Sequence, residues 1–583
     1  ASAKLKEDRG EGRARDVVVA FGAPLPRESS AERVKQAVFE LSVSSWQTYV
    51  ADLETLPRAW MGSAKRNLGR VAVTDSTGSR LTNRRLIAAV LLFTRRVRAL
   101  APESAVGILL PASSAAAIAN LAGLLAGKSV VNLNYTASPQ AIKSGIATAG
   151  IRHVITAERF LRKLEGRGID LGPALADCTL HPMEELRSGI GKGEALATLL
   201  LGILLPASWL LALFGQRSHP DDTAAILFSS GSEGSPKGIE LTHRNIMANV
   251  RQISDVLNTE ADDVVMANLP PFHAFGLTVT TFLPLIEGIP MVCHPDPTDA
   301  VGTGKAIARY RATVLCSTAT FLRLYTRNRK VHPLMLDSLR IVVAGAERLG
   351  PEVREAFMLK FGKPIYEGYG ATETTPVASV NVPDTLDPES WKLQFGSKPG
   401  SVGLPLPGTS FRVVDPVTLD TLPTGEDGLI LIGGVQVMKG YLKAPEKTAE
   451  SVVELDGMRW YKTGDKGHLD ADGFLTIVDR YSRFAKLGGE MISLGAVEEQ
   501  VRAVLRQPEL ELAAVNLPDE KKGERIVLLS AEHIDLDALR KALLGSGANP
   551  LSIPSEVRRV EAIPKLGSGK TDFGGVKRLA LAA

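Results

Sequence analysis

Cysteine is scarce, with three in 583 residues: Cys178, Cys293 and Cys316. They lie far apart, in no CxxC pair and no metal-ligand spacing, which excludes a disulfide framework and points to a reducing compartment where each is apolar filler. An excess of one charge is also missing, because 68 basic residues face 64 acidic ones and leave a net charge of +4. Bulk charge therefore gives no reason to expect a nucleic acid partner, while mild basicity suits an anionic lipid surface. The opening residues are charged and hold no apolar h-region, so no secretory signal is expected there, and the missing initial Met suggests a fragment or a processed chain.

One segment departs from the soluble pattern by its length of unbroken apolar character. Residues 195–215, ALATLLLGILLPASWLLALFG, hold no charge over 21 positions and as one helix would span about 31 Å, roughly a bilayer core. A true crossing would put the strands before it and the loop after it on opposite sides of a membrane, splitting one sheet. Pro206 at its centre and Lys192 and Arg217 at its flanks favour a bent hairpin at the membrane interface; a pair of core helices is the alternative.

At 583 residues the chain needs two or three domains. Residues 16–22 read as a strand ending at a Gly/Pro turn, and 31–49 as a helix with Val34, Val38, Leu41 and Trp46 at helical spacing. From about Leu68 strands and helices alternate: strands at 71–73, 107–110 and 129–133, helices at 83–100 and 114–126. This is the pattern of a doubly wound α/β fold.

Residues 229–238, SSGSEGSPKG, follow the short buried-strand run 224–228 and precede 239–250, which reads as the start of a helix. Glycines let a backbone approach a ligand closely, successive N–H groups converge on anionic oxygens, and the serines and Lys237 add donors and charge. Polyphosphate is the natural guest. It is not a Walker A loop, because Pro236 precedes Lys237 and Gly238 follows it.

Four further strings stand downstream in order: NLPPFHAFG at 268–276, IVVAGAE at 341–347, YEGYGATET at 366–374, and WYKTGD with VDR at 460–465 and 478–480. A final GSGK occupies 567–570. Together with the loop they resemble the adenylate-forming superfamily of acyl-CoA synthetases, luciferases and peptide-synthetase adenylation domains, over about residues 65 to 583. The resemblance implies a large N-terminal adenylate-forming domain, residues 66–480, of doubly wound sheets plus a small β-barrel-like part. A small mobile α+β C-terminal domain, 481–583, follows a hinge at Ser482. It implies ATP and Mg²⁺ as cofactors, an acyl-AMP intermediate and a phosphopantetheine thiol as acceptor.

Carried over position by position, Ser229, Ser230, Gly231, Ser232, Glu233, Gly234 and Lys237 hold phosphate. His273 gates the carboxylate pocket between Phe272 and Phe275. Gly345, Ala346 and Glu347 supply backbone against adenine, with Gly368, Tyr369 and Gly370 wrapping the purine. Thr372 meets the α-phosphate, Glu373 ligates Mg²⁺, and Asp465 and Arg480 hold the ribose. Lys486 lies beyond the hinge, and Lys570 bridges the substrate carboxylate and the α-phosphate during adenylation.

Two departures refine the resemblance. Glu233 stands where most of the superfamily has Thr, and Thr571-Asp572 follows the terminal Lys in place of an apolar-x-Arg. Both are similar to acyl-[acyl-carrier-protein] synthetases, as found fused behind a 2-acylglycerophosphoethanolamine acyltransferase domain, and residues 1–65 resemble the end of such a domain. The His-x4-Asp spacings at 294–299 and 332–337 lack the other acyltransferase motifs and read as chance. The expectation is a ligase activating a long-chain fatty acid and loading acyl carrier protein for lysophospholipid reacylation. It would work with an upstream acyltransferase, peripheral or monotopic at the cytoplasmic face of the inner or plasma membrane. A long-chain acyl-CoA ligase and a silent lipid-binding scaffold are the alternatives.

Overall fold

Buried apolar runs such as Ile341–Ala344 and Val314–Ser317 have no polar face to offer water, and such strands belong inside parallel sheets covered on both sides. The computed structural model describes residues 18–76, 78–229, 236–487, 490–519, 523–565 and 571–582, and in it these runs form two large sheets. One has nine strands, with a parallel centre in the order 366–370, 341–344, 314–317, 265–267, 291–293 and 71–75. The other has seven, in which Thr223–Phe228 lies parallel to Ser129–Asn132 and antiparallel to Gly238–Thr242. One continuous hydrophobic core joins them.

The expected helices at 31–49, 83–100 and 114–126 form as Ala31–Ala51, Asn83–Leu100 and Ser114–Leu125. Two local expectations fail. Residues 18–22 pair with no strand and leave Val19 and Phe21 exposed. Residues 239–242 are not helical: Ile239 and Leu241 alternate with Glu240 on the returning strand Gly238–Thr242. The helix starts only at His243, where the side chains of Thr242 and Asn245 cap it reciprocally. Thr223–Phe228 and Gly238–Thr242 are therefore consecutive strands paired antiparallel.

A five-stranded antiparallel sheet, containing Thr409–Val414, Gly428–Gly434 and Met458–Leu469, supplies the barrel-like part. Helix Ala31–Ala51 lies on it. Glu40 pairs with Arg412 at 2.8 Å, and Gln36 donates to the carbonyl of Phe411. After the turn Tyr481–Arg483 a separate five-stranded sheet begins at Phe484, with its own cores on its two faces.

Residues 195–215 form two helices, Lys192–Leu204 and Ala207–Phe214, broken at Leu205-Pro206 where Leu205 takes the extended backbone favoured before proline. Among the described residues no helix is long and apolar enough to cross a membrane.

Candidate active site

Strands 366–370, 458–469 and 475–480 bring three of the expected residues into contact. Arg480 faces Asp465 across the antiparallel ladder, and its Nε donates to Asp465 Oδ1 at 2.9 Å. The Tyr369 hydroxyl donates to Asp465 Oδ2 at 2.5 Å, and Thr463 Oγ1 accepts the Asp465 backbone N–H. Burial, then the Asp465 charge, pushes the Tyr369 phenol well above its ordinary range, so it stays a donor. The Asp465 charge likewise raises Arg480. A carboxylate offers about four lone-pair directions, so two remain on Asp465 for a vicinal diol.

Glu373 follows on the short turn Thr372–Thr374, which Thr374 pins by donating to the carbonyl of Pro376. Gly370 is required before it, because a Cβ there would fall 1.8 Å from the Pro376 carbonyl oxygen. Glu373 Oε1 accepts from the Tyr441 hydroxyl at 2.8 Å, and the Lys237 ammonium lies 5.0 Å from the centre of the same ring. Lys237, at the end of the expected phosphate loop, and the expected metal ligand Glu373 thus meet through Tyr441, for which the sequence carries no signal, since a Gly-Tyr pair at a strand end is no motif. The loop's described ends are tied to each other: Ser229 N–H donates to the Lys237 carbonyl at 3.0 Å.

The residues fit a magnesium ion. One carboxylate with a free oxygen suits a cation that keeps its waters and binds phosphate oxygens. Among the described residues no group of three or more His, Cys, Asp or Glu forms a closed metal cage.

Other expected residues are placed as follows. Gly345 packs against the Phe275 ring, and Ala346 takes a left-handed φ of 72°. The Glu347 carboxylate accepts the backbone N–H and the hydroxyl of Thr320 at the start of helix Ala319–Arg327. His273 stacks at a tilt on Phe272, whose ring packs edge-on against Tyr135 in a second core. Phe275 alone of the two expected wall residues lines the pocket described next. Lys486 sits exposed on the C-terminal sheet, away from the Asp465 cluster's contacts. Ser230, Gly231, Ser232, Glu233, Gly234 and Lys570 lie outside the described residues. Asp572 Oδ1 accepts the Gly575 N–H at the start of the last helix, so that departure has a capping role.

Beside Tyr369 lies a cavity of about 70 Å³ lined by Phe275, Val279, Gly345, Ala346, Tyr369 and Val377 among others. A smaller one of about 10 Å³ shares Leu257, Val279 and Cys316 with it and extends to Asp263. The larger cavity thus sets a mainly apolar wall against the polar cluster, with the smaller one as its neighbour in the core.

The family model for AMP-binding enzyme matches residues 61–442. A 4-coumarate--CoA ligase 2 of Oryza sativa subsp. japonica is 30% identical over 469 residues, covering 78% of this chain and 79% of that protein. A long-chain-fatty-acid--CoA ligase of Salmonella typhimurium is 28% identical over 471 residues, covering 77% and 80%. Among solved structures, ATP-bound MatB from Rhodopseudomonas palustris matches with a TM-score of 0.71 at 24% identity, over 89% of this chain and 98% of that one. The anthranilate CoA ligase AuaEII in complex with anthranoyl-AMP matches at 0.73 and 21%, over 92% and 100%. These two likenesses establish the fold, a large N-terminal domain with a smaller C-terminal one. With its family match spanning well over half its length, the chain belongs to the AMP-binding enzyme family, ATP-dependent ligases that form an acyl adenylate.

Proposed function

We propose that the acid activated is a long-chain fatty acid and that the acyl group passes to the phosphopantetheine thiol of acyl carrier protein, for use in lysophospholipid reacylation. The carrying observation is the mainly apolar cavity beside Tyr369 and Gly345, lined by Phe275, Val279 and Val377 among others. A hydrocarbon tail gains from burial along such a wall, at about 0.8 kcal/mol per CH₂. In the reaction the substrate carboxylate oxygen bonds to the α-phosphorus of ATP and pyrophosphate leaves. The thiol sulfur then bonds to the acyl carbon, loses its proton, and AMP leaves.

Anion attacking anion needs fixed positive partners. Lys237 stands beside the Tyr441–Glu373 pair, and Arg480 beside Asp465. Bound magnesium would supply charge neutralisation on the phosphates, held by Glu373. Contacts across to the C-terminal unit include exposed ion pairs such as Arg348–Glu499 at 2.8 Å, with both side chains more than half exposed, and hydrogen bonds from the Ser493 hydroxyl and the Gly495 N–H to Asp479 near the hinge. Exposed ion pairs are weak and separable, as a domain that rotates between half-reactions requires.

Glu233 supports the carrier protein as acceptor. A second reading, CoA as acceptor, is favoured by relatives named as CoA ligases. Incubation with ATP, palmitate and either acyl carrier protein or CoA, with mass detection of the thioester, tests both. Palmitoyl carrier protein as the main product is expected. Palmitoyl-CoA alone selects the second reading, and no fatty-acid-dependent ATP–pyrophosphate exchange leaves a non-catalytic scaffold.

A further inference from the structure

The helix pair Lys192–Leu204 and Ala207–Phe214 is two-faced in a way its composition hides. Thr198, Gly202, Leu210 and Phe214 recur at four-residue spacing and are buried, with Gly202 packed closely over Ile87 of helix Asn83–Leu100. The opposite stripes, Leu196, Leu200 and Leu204 on one helix and Trp209 and Leu213 on the other, are exposed, Leu204 at 74% and Trp209 at 62%. Large apolar side chains gathered on one outer face mark an interaction surface.

Three backbone carbonyls near the helix ends already have side-chain partners. The helix break at Pro206 would leave carbonyls unpaired, but Lys65 Nζ donates to the carbonyls of Gly202 at 3.0 Å and Ile203 at 2.8 Å. Arg98 donates to the carbonyl of Phe214, the last residue of the second helix. Satisfied backbone is what a segment must have to enter hydrocarbon. The helices, of 13 and 8 residues, reach only about 20 and 12 Å, so the pair lies along an interface and does not span one.

The exposed charges at the two ends of the pair share one sign. Lys192 and Arg217 flank the pair in sequence and are exposed. Glu194, the pair's lone carboxylate, is held at 2.9 Å by Arg96, with Arg95 at 3.8 Å. A second copy docked on this face by two-fold symmetry would set the cationic rim against itself. Anionic lipid complements it, and an indole such as Trp209 favours the headgroup boundary.

We propose that this face docks the protein on an anionic lipid bilayer, with Leu196, Leu200, Leu204, Trp209 and Leu213 entering the acyl boundary and Lys192 and Arg217 meeting headgroups. It stands independently of the acid and the acceptor assigned above. The full chain is floated with phosphatidylcholine vesicles with and without phosphatidylglycerol. Binding that needs phosphatidylglycerol, weakens with salt, and falls at least about tenfold in Leu204→Glu/Leu213→Glu is expected. Both positions are exposed, and an unchanged circular-dichroism melt verifies the fold of the variant. Quenching of tryptophan emission by brominated acyl chains, present in the wild type and reduced in Trp209→Phe, checks the same contact without adding charge. Wild-type protein left behind by the vesicles, equal flotation of the glutamate variant, or a concentration-dependent dimer abolished by that variant would each overturn the proposal.

Discussion

Tyr369 and Asp465, on strands of different sheets, share a 2.5 Å hydrogen bond that fixes the buried carboxylate opposite its 2.9 Å contact with Arg480. Asp465 is thereby oriented from two sides before any ligand arrives. Removing the phenol oxygen in Tyr369→Phe leaves the Asp465–Arg480 pair but frees one carboxylate oxygen to turn. KM for ATP should rise about tenfold, the worth of one charge-assisted bond, with kcat changed far less. ATP-saturation curves of pyrophosphate exchange read this directly, and an unchanged KM would remove Asp465 orientation from the role of Tyr369.

Lys570 tests the carry-over from the family by chemistry. Lys570→Ala should lose at least about 10²-fold in adenylation, as with loss of a charge-stabilising donor, yet keep thiolation when acyl-AMP is supplied. The two half-reactions are assayed separately, and equal loss in both contradicts the assignment.

Under the proposed function the fatty-acid tail lies in the cavity beside Tyr369. Val279 lines this cavity and its smaller neighbour, so Val279→Phe should block part of it and lower the kcat/KM ratio of palmitate to octanoate at least about tenfold, since each lost methylene contact is worth a kcal/mol or more. A ratio that does not move would place the tail elsewhere.

His243 gives the fold a pH dependence. Its Nδ1 accepts the Leu56 N–H at 3.3 Å, at the start of helix Leu56–Arg66, and burial lowers its pKa to about 4. The native state therefore keeps it neutral while the unfolded chain takes up a proton below about pH 6.5. Stability from this group is full above that pH and is lost as pH falls through 6.5 towards 4, by on the order of 3 kcal/mol. Denaturant melts of wild type and His243→Asn across this window should show a flatter acid limb in the variant.

Strong local patterns were legible from the sequence: helix Asn83–Leu100 from its apolar period, and the Pro206 break from proline's missing N–H. Where a short apolar run fits two periods, reading failed. Residues 239–242 became a strand because Thr223–Phe228 offers them an antiparallel edge, a fact about neighbours and not about propensity.

The sequence by itself determined the family, because five motifs in fixed order need specific glycines, hydroxyls and charges at specific steps of the chain. Only the tertiary structure decided which of those groups meet. Tyr441 links Lys237 to Glu373, and Tyr369 links the glycine strand to Asp465, across separations of 68 and 96 residues. It also decided which side of residues 195–215 faces out, since the residues buried there are chosen by the helices beneath and not by their own hydrophobicity.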